Sequence, residues 1–212
     1  MPSPSFSTTE FVIRTIAETA CDNEIYFGQL DSVVGDGDFG YSLARGFEVI
    51  LADWDSYDRS DIGAFLQKIA VAITSRIGGT SGPIWGSALL RAAAQLKGRD
   101  ELTGQDAVVA LRAAIEGIKT RGGADLGDKT LIDALVPVAD SLEASFNEGK
   151  DAGVALDIAA GVAEEAAEAT TKMQAMRGRA AYTGERSIGS PDPGAVAVAV
   201  MLRRISDNWG TR

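Results

Sequence analysis

At 212 residues and 22.1 kDa, with 45% hydrophobic and 24% charged residues, the chain predicts one globular domain (1–212) able to bury a substantial core. Its net charge of −10 argues against a nucleic-acid partner and against an anionic membrane surface, and no apolar run approaches the ~20 residues that span a bilayer. A single cysteine, Cys21, excludes an intrachain disulfide and suits a reducing cytosol, and the lack of any histidine removes the commonest general base.

The first residues, Met1 to Phe6, lack the basic and apolar regions of a signal peptide, in keeping with a cytoplasmic protein. Phe11, Val12, Ile16, Ala20 and Ile25 then recur at helical spacing and predict a helix from Phe11 to Leu30, with Cys21 as a small packed side chain on it. The loop that follows, Asp31-Ser-Val-Val-Gly-Asp36-Gly-Asp38-Phe-Gly40, brings together Asp31, Asp36 and Asp38. Carboxylates this close repel one another unless a hard cation neutralises them, and their oxygens suit Mg²⁺ or Ca²⁺. The alternative is a solvated acidic turn.

Three familiar patterns overlap this loop, and none holds. Gly35-x-Gly37-x-x-Gly40 matches the dinucleotide fingerprint but follows a helix rather than a strand. An EF-hand would need Gly and Glu where Tyr41 and Phe47 stand. Asp38-Phe39-Gly40 mimics the protein-kinase magnesium triplet, whose catalytic loop needs a histidine.

Leu43, Phe47, Ile50 and Leu51 predict the next helix, and further helices follow over roughly 60–77, 83–97, 104–121, 129–148, 154–172 and 193–208. That makes about eight helices and no sheet. Thr103, with Gln105 and Asp106 behind it, opens one of them, Asp128 stands as an N-cap before Lys129, and Asp192-Pro193 is a cap with proline at the first helical position. Alanines at 92–94 and between Ala159 and Ala169 permit close helix contacts, and the nearly all-apolar last helix reads as central or well covered.

Four glycine-rich loops, 31–40, 78–82, 121–128 and 177–194, join these helices and are placed to converge at one end of an up-and-down array. In Gly78-Gly79-Thr80-Ser81-Gly82-Pro83, amides, hydroxyls and a helix start together make an anion site, although no Walker lysine is present. A flexible interhelical turn is the alternative. Arg177, Arg179 and Arg186 lie in a loop of an otherwise acidic protein; Arg186 reads as a surface ion pair, and Tyr182 and Glu185 as loop-packing residues. An acidic triad, an amide cradle and a basic loop are the parts that phosphoryl transfer needs.

These motifs, with Gly-Asp-Lys-Thr-x-x-Asp-Ala-Leu and Gly-Arg-Ala-x-Tyr-x-Gly-Glu-Arg-Ser-x-Gly-x-x-Asp-Pro-Gly in the same order, closely resemble the nucleotide-binding L subunit (DhaL type) of dihydroxyacetone kinases over nearly the whole chain. The resemblance implies an all-α, antiparallel eight-helix barrel with ADP or ATP bound across one end. It implies that Asp31, Asp36 and Asp38 hold two Mg²⁺ ions bridging the phosphates. Gly40 and Ser42 would donate to those phosphates alongside Thr80 and Ser81, and Phe39 would offer its backbone N–H. Gly122 and Leu131 would line the adenine and ribose pocket, Asp192, Pro193 and Gly194 would close it, and Arg179 would stand near the transferring phosphate.

The chain departs from the family pattern in two places. Phe39 stands where histidine is usual, and Ser190-Pro191 stand where His-Gln often precedes Asp-Pro-Gly. Related short ketoses such as erythrulose thereby join dihydroxyacetone as candidate substrates. In the family the ketose binds a separate K subunit through a histidine, so the resemblance implies such a partner, with either ATP or a phosphotransferase-system M protein as phosphoryl donor. A homodimer is left open. Other readings of the chain are a nucleotide-dependent module docking on a transcription regulator and a helical lipid-carrying barrel.

Overall fold

The computed structural model describes residues 3–212 and is helical, with no strand among the described residues. Its nine α-helices are α1 (Pro4–Asp22), α2 (Glu24–Asp31), α3 (Phe39–Ala52), α4 (Ile62–Arg76), α5 (Ser81–Leu96), α6 (Gly104–Gly122), α7 (Ile132–Asn147), α8 (Ala152–Ala169) and α9 (Pro193–Asp207). The single helix expected over 11–30 is two. Asn23 ends α1 by donating its side-chain amide to the Thr19 carbonyl at 2.9 Å, a local bond that competes with the helical ladder.

Local chemistry explains the other boundaries. The Asp61 carboxylate accepts from Ala64 N at 2.7 Å and starts α4. Thr103 and Asp106 form a reciprocal capping box at the start of α6. Asp151 caps α8, and Asp192 caps α9 with Pro193 behind it. Asp128 caps nothing: α7 begins only at Ile132, and the carboxylate of Asp128 faces the loops instead.

Each helix packs on its neighbour in the order α1, α3, α4, α5, α6, α7, α8, α9, and α9 returns to α1. Eight helices therefore close a ring, and the short α2 lies between α3 and α9. The two halves of the core differ. Around α1 to α5 it is built from Phe27, Phe47 and Phe65 with isoleucines, and Trp54 meets Phe65 edge-on at 5.6 Å. Around α6 to α9 it is a stripe of alanines, Ala155, Ala159, Ala163 and Ala167, that lets α8 approach its neighbours closely. The apolar α9 is covered on most of its length, as its sequence predicts. Cys21 is only partly enclosed; burial, helped by neighbouring carboxylates, pushes its thiol up to about 11. No described helix is long and apolar enough to cross a membrane.

Candidate functional site at one end of the ring

A cleft of about 560 Å³ opens where the four glycine-rich loops meet, and each of them contributes to its lining. The acidic loop forms one wall. Asp31 ends α2, and its carboxylate accepts from the amides of Gly37 at 2.9 Å and Phe39 at 3.4 Å, which fixes the turn between them. The turn needs glycine at position 37, whose φ is +77°. Asp38 sits at the N-cap of α3 without spending its side chain on the helix, and Asp36 is exposed beside it. One carboxylate oxygen from each of Asp31, Asp36 and Asp38 lies within 4.8 Å of the others, a hard-oxygen donor set that fits Mg²⁺.

Thr80 and Ser81 line the facing edge. The helix begins at Ser81, two residues earlier than its apolar spacing predicts, and the Thr80 side chain makes no capping bond, so its hydroxyl and the first amides of α5 remain available to an anion. Ile84, Ile118, Ala124 and Leu131 pack on one another and give the cleft an apolar side. Gly122, Pro193 and Gly194 complete that lining.

The third wall is the segment 173–190, which includes a run of tight turns over Arg179–Ser187. Arg179 reaches across to the acidic loop and pairs with Asp36 and Asp38. Arg177 also lines the cleft, where its Nε donates to Asp128 at 2.9 Å. Arg186 makes no ion pair among the described residues; its Nε donates to the Thr183 carbonyl at 3.5 Å. Tyr182 is 91% exposed and Glu185 is exposed, so neither packs the loop as expected.

Of the residues singled out from sequence, Phe39 and Asp192 also line the cleft, whereas Gly40 and Ser42 do not. Gly40 is buried against α2, where a Cβ would stand 2.0 Å from the Glu24 carbonyl oxygen, so close helix crossing already requires glycine there. The Ser42 hydroxyl lies beside Gly78, behind the lining.

Three residues in or beside the cleft escaped sequence reasoning. Arg121 is a third arginine on the lining, with Arg177 and Arg179, at the end of α6. Asp133 is buried and accepts from the amides of Gly127 at 2.6 Å and Thr130 at 2.7 Å, which shapes the turn before α7. Lys129 is 3% exposed and is the only non-glycine described residue with positive φ, +60°. The motif Gly-Asp-Lys-Thr-x-x-Asp-Ala-Leu contains the last two, but nothing in it marks their backbone partners.

The sequence profile of the DAK2 domain matches residues 33–207. The chain is 39% identical over 181 residues to the ADP-binding subunit DhaL of the PEP-dependent dihydroxyacetone kinase of Escherichia coli, covering 85% of this chain and 86% of that one. It is 40% identical over 200 residues to the L-erythrulose 1-kinase of Mycolicibacterium smegmatis, covering 93% of this chain but only 34% of that longer protein. The crystal structure of the dihydroxyacetone kinase of C. freundii in complex with AMP-PNP and Mg²⁺ superposes with a TM-score of 0.77 at 27% identity, over 98% of this chain and 35% of that one. Fold, motif order and sequence agree, and the chain belongs to the DAK2 domain family.

Proposed function

We propose that this chain is the Mg-nucleotide-binding, phosphoryl-transferring subunit of a short-chain ketose kinase, acting with a separate ketose-binding K subunit in the cytoplasm. The observation that carries the reading is that three carboxylates within 4.8 Å, an open helix start and an arginine from a distant loop face one cleft. The kinship with ADP-binding DhaL subunits and with erythrulose kinases supports the same conclusion.

In this reading Asp31, Asp36 and Asp38 hold two Mg²⁺ ions, which would neutralise the charge of the nucleotide phosphates. Asp31 is oriented for this by the amides of Gly37 and Phe39. Thr80 and Ser81 orient the phosphates from the other side, while Ile84, Ile118 and Leu131 exclude water around the nucleoside. Arg179 supplies a delocalised, bidentate cation where negative charge spreads during transfer. No histidine is available to capture a carbonyl, so the ketose is held by the K subunit. The donor is either free ATP or a phosphotransferase-system M protein that recharges a retained ADP.

Native mass spectrometry of the freshly purified chain tests this. Retained ADP with two Mg²⁺ supports the recharging scheme, and an empty chain that takes up ATP only with Mg²⁺ supports exchange with free ATP. Failure to bind nucleotide under either condition refutes the proposal.

A further inference from the structure

Lys129 is a buried ammonium whose three N–H groups all go to backbone carbonyls of one segment. Its Nζ donates to Met173 O at 3.2 Å, to Ser190 O at 2.6 Å and to Ser187 O. No carboxylate among the described residues pairs with it, and the three donors of the ammonium go to these three oxygens. Desolvating an ammonium is costly, and an apolar side chain would fill the same space without that cost.

The three acceptors bracket Arg179. Other bonds tie down the same two ends: Met176 N donates to Asp128 O at 3.0 Å, and Gly189 N to Thr171 O at 2.8 Å. Inside the segment, the buried Ser187 hydroxyl accepts from Ala175 N at 2.8 Å and donates to Gly184 O at 2.6 Å. Between these anchors the chain runs out over the cleft with Arg179, Tyr182 and Arg186 exposed. The Lys129 backbone itself takes positive φ, +60°, just before α7, a conformation that costs a non-glycine residue energy and is held here by these bonds.

We propose that Lys129 is a positioning residue for phosphoryl transfer: by gripping the carbonyls of Met173, Ser187 and Ser190 it fixes the base of the segment that aims Arg179 at the carboxylate triad. The inference rests on the transfer role proposed for Arg179. It explains why a lysine stands beside the nucleotide cleft without directing its charge into it. Its effect on catalysis is indirect, through the placement of a guanidinium by a tenth of a nanometre or less, and misplacement on that scale costs catalysis up to about 10²-fold.

The test is Lys129→Met, which keeps the stem and removes all three donors, alone and combined with Arg179→Ala. Hydrogen exchange read by mass spectrometry should show peptides covering 173–190 exchanging about tenfold faster or more in the variant, with α4 and α5 unchanged. With a K subunit and Mg-ATP, kcat should fall about tenfold or more while KM for Mg-ATP stays within about threefold. The double variant should be no slower than Arg179→Ala alone. Unchanged exchange over 173–190, or rate losses that multiply in the double variant, would overturn the proposal. Should Lys129→Met fail to fold, Ser187→Ala loosens the same segment from inside and must show the same non-additivity with Arg179→Ala; independent losses there overturn it equally. Turnover indifferent to Arg179→Ala would instead sink the transfer role, while the exchange rates still decide whether Lys129 orders the segment.

Discussion

The acidic and basic walls of the cleft are held in opposite ways. The acidic wall is short and self-organised: the Asp31 carboxylate accepts from amides six and eight residues further on, and a glycine turn does the rest. Its charged groups are partly or fully exposed. The basic wall is longer and held from outside, by Lys129 acting on carbonyls 44, 58 and 61 residues away and by Asp128 acting on Arg177 49 residues away. Lys129 and Ser187 at its base are buried, whereas Met176, Ile188 and the tip are exposed. A loop that carries a ligand site can therefore be ordered by its own sequence or by the scaffold beneath it, and the two kinds respond differently to substitution.

The largest effect belongs to the acidic wall. Asp36→Ala leaves two carboxylates, too few to hold both cations, and nucleotide affinity in the presence of Mg²⁺ should fall by about 10²-fold or more. Calorimetry with ADP reads this directly, and an unchanged affinity would mean that the three carboxylates are only a solvated turn. Removing the tip of the basic wall should act on rate instead. Arg179→Ala is expected to slow transfer by about 10²-fold or more while nucleotide binding stays within a few-fold. Equal losses in binding and rate would make Arg179 an ordinary ligand contact and erase the functional difference between the walls.

The same contrast sets what was legible in the sequence. The Thr103 and Asp192-Pro193 helix starts are local patterns, and each reads correctly because its partners lie within a few residues; the turn of the acidic loop is local in the same way. The eight helices of the ring were legible from apolar spacing, except that the Asn23 side chain divides the first, whereas their closure into a barrel was implied only by the family resemblance. Asp128 was misread because a cap looks the same whether or not a helix starts there; Asp133, in the first turn of α7, organises that corner. Lys129 was invisible for a physical reason. Its partners are carbonyls, which every residue carries, so no sequence pattern marks them.

Glycine substitutions sharpen the comparison at the level of stability. Gly40→Ala forces a Cβ to within 2.0 Å of the Glu24 carbonyl oxygen and 2.6 Å of Gly28 N, so α2 and α3 must part beneath the acidic wall. A loss of about 1–3 kcal/mol is expected, seen as a drop of roughly 5 °C in Tm. Gly178, at the root of the basic tip, has open space around it but φ +64° and ψ −163°, a backbone region that glycine alone occupies readily, so Gly178→Ala should cost backbone strain without a clash, about 1–3 kcal/mol.

The smallest effect concerns the charge beneath the basic wall. Asp192 caps α9 by accepting from Ala195 N at 2.8 Å, and its own amide donates to Thr170 Oγ1 at 2.8 Å. Burial raises its carboxyl to about 7, with the Asp133 charge adding to the rise, while the amides of Ala195 and Gly194 and the Lys129 ammonium oppose it. A folded pKa above the ordinary 3.8 means that the folded chain keeps a proton that the unfolded chain releases. The resulting stability is complete below about pH 4 and is lost as pH rises through about 7, at no more than ~1.4 kcal/mol per pH unit. Asp192 also lines the cleft, where water reaches it, so the true slope lies below that ceiling. Asp192→Asn keeps the capping oxygen and removes the titration. Urea unfolding of both proteins across this range should show the native chain losing stability relative to the Asn variant as pH rises. Parallel curves would mean that water in the cleft solvates this carboxylate as freely as those of the acidic wall.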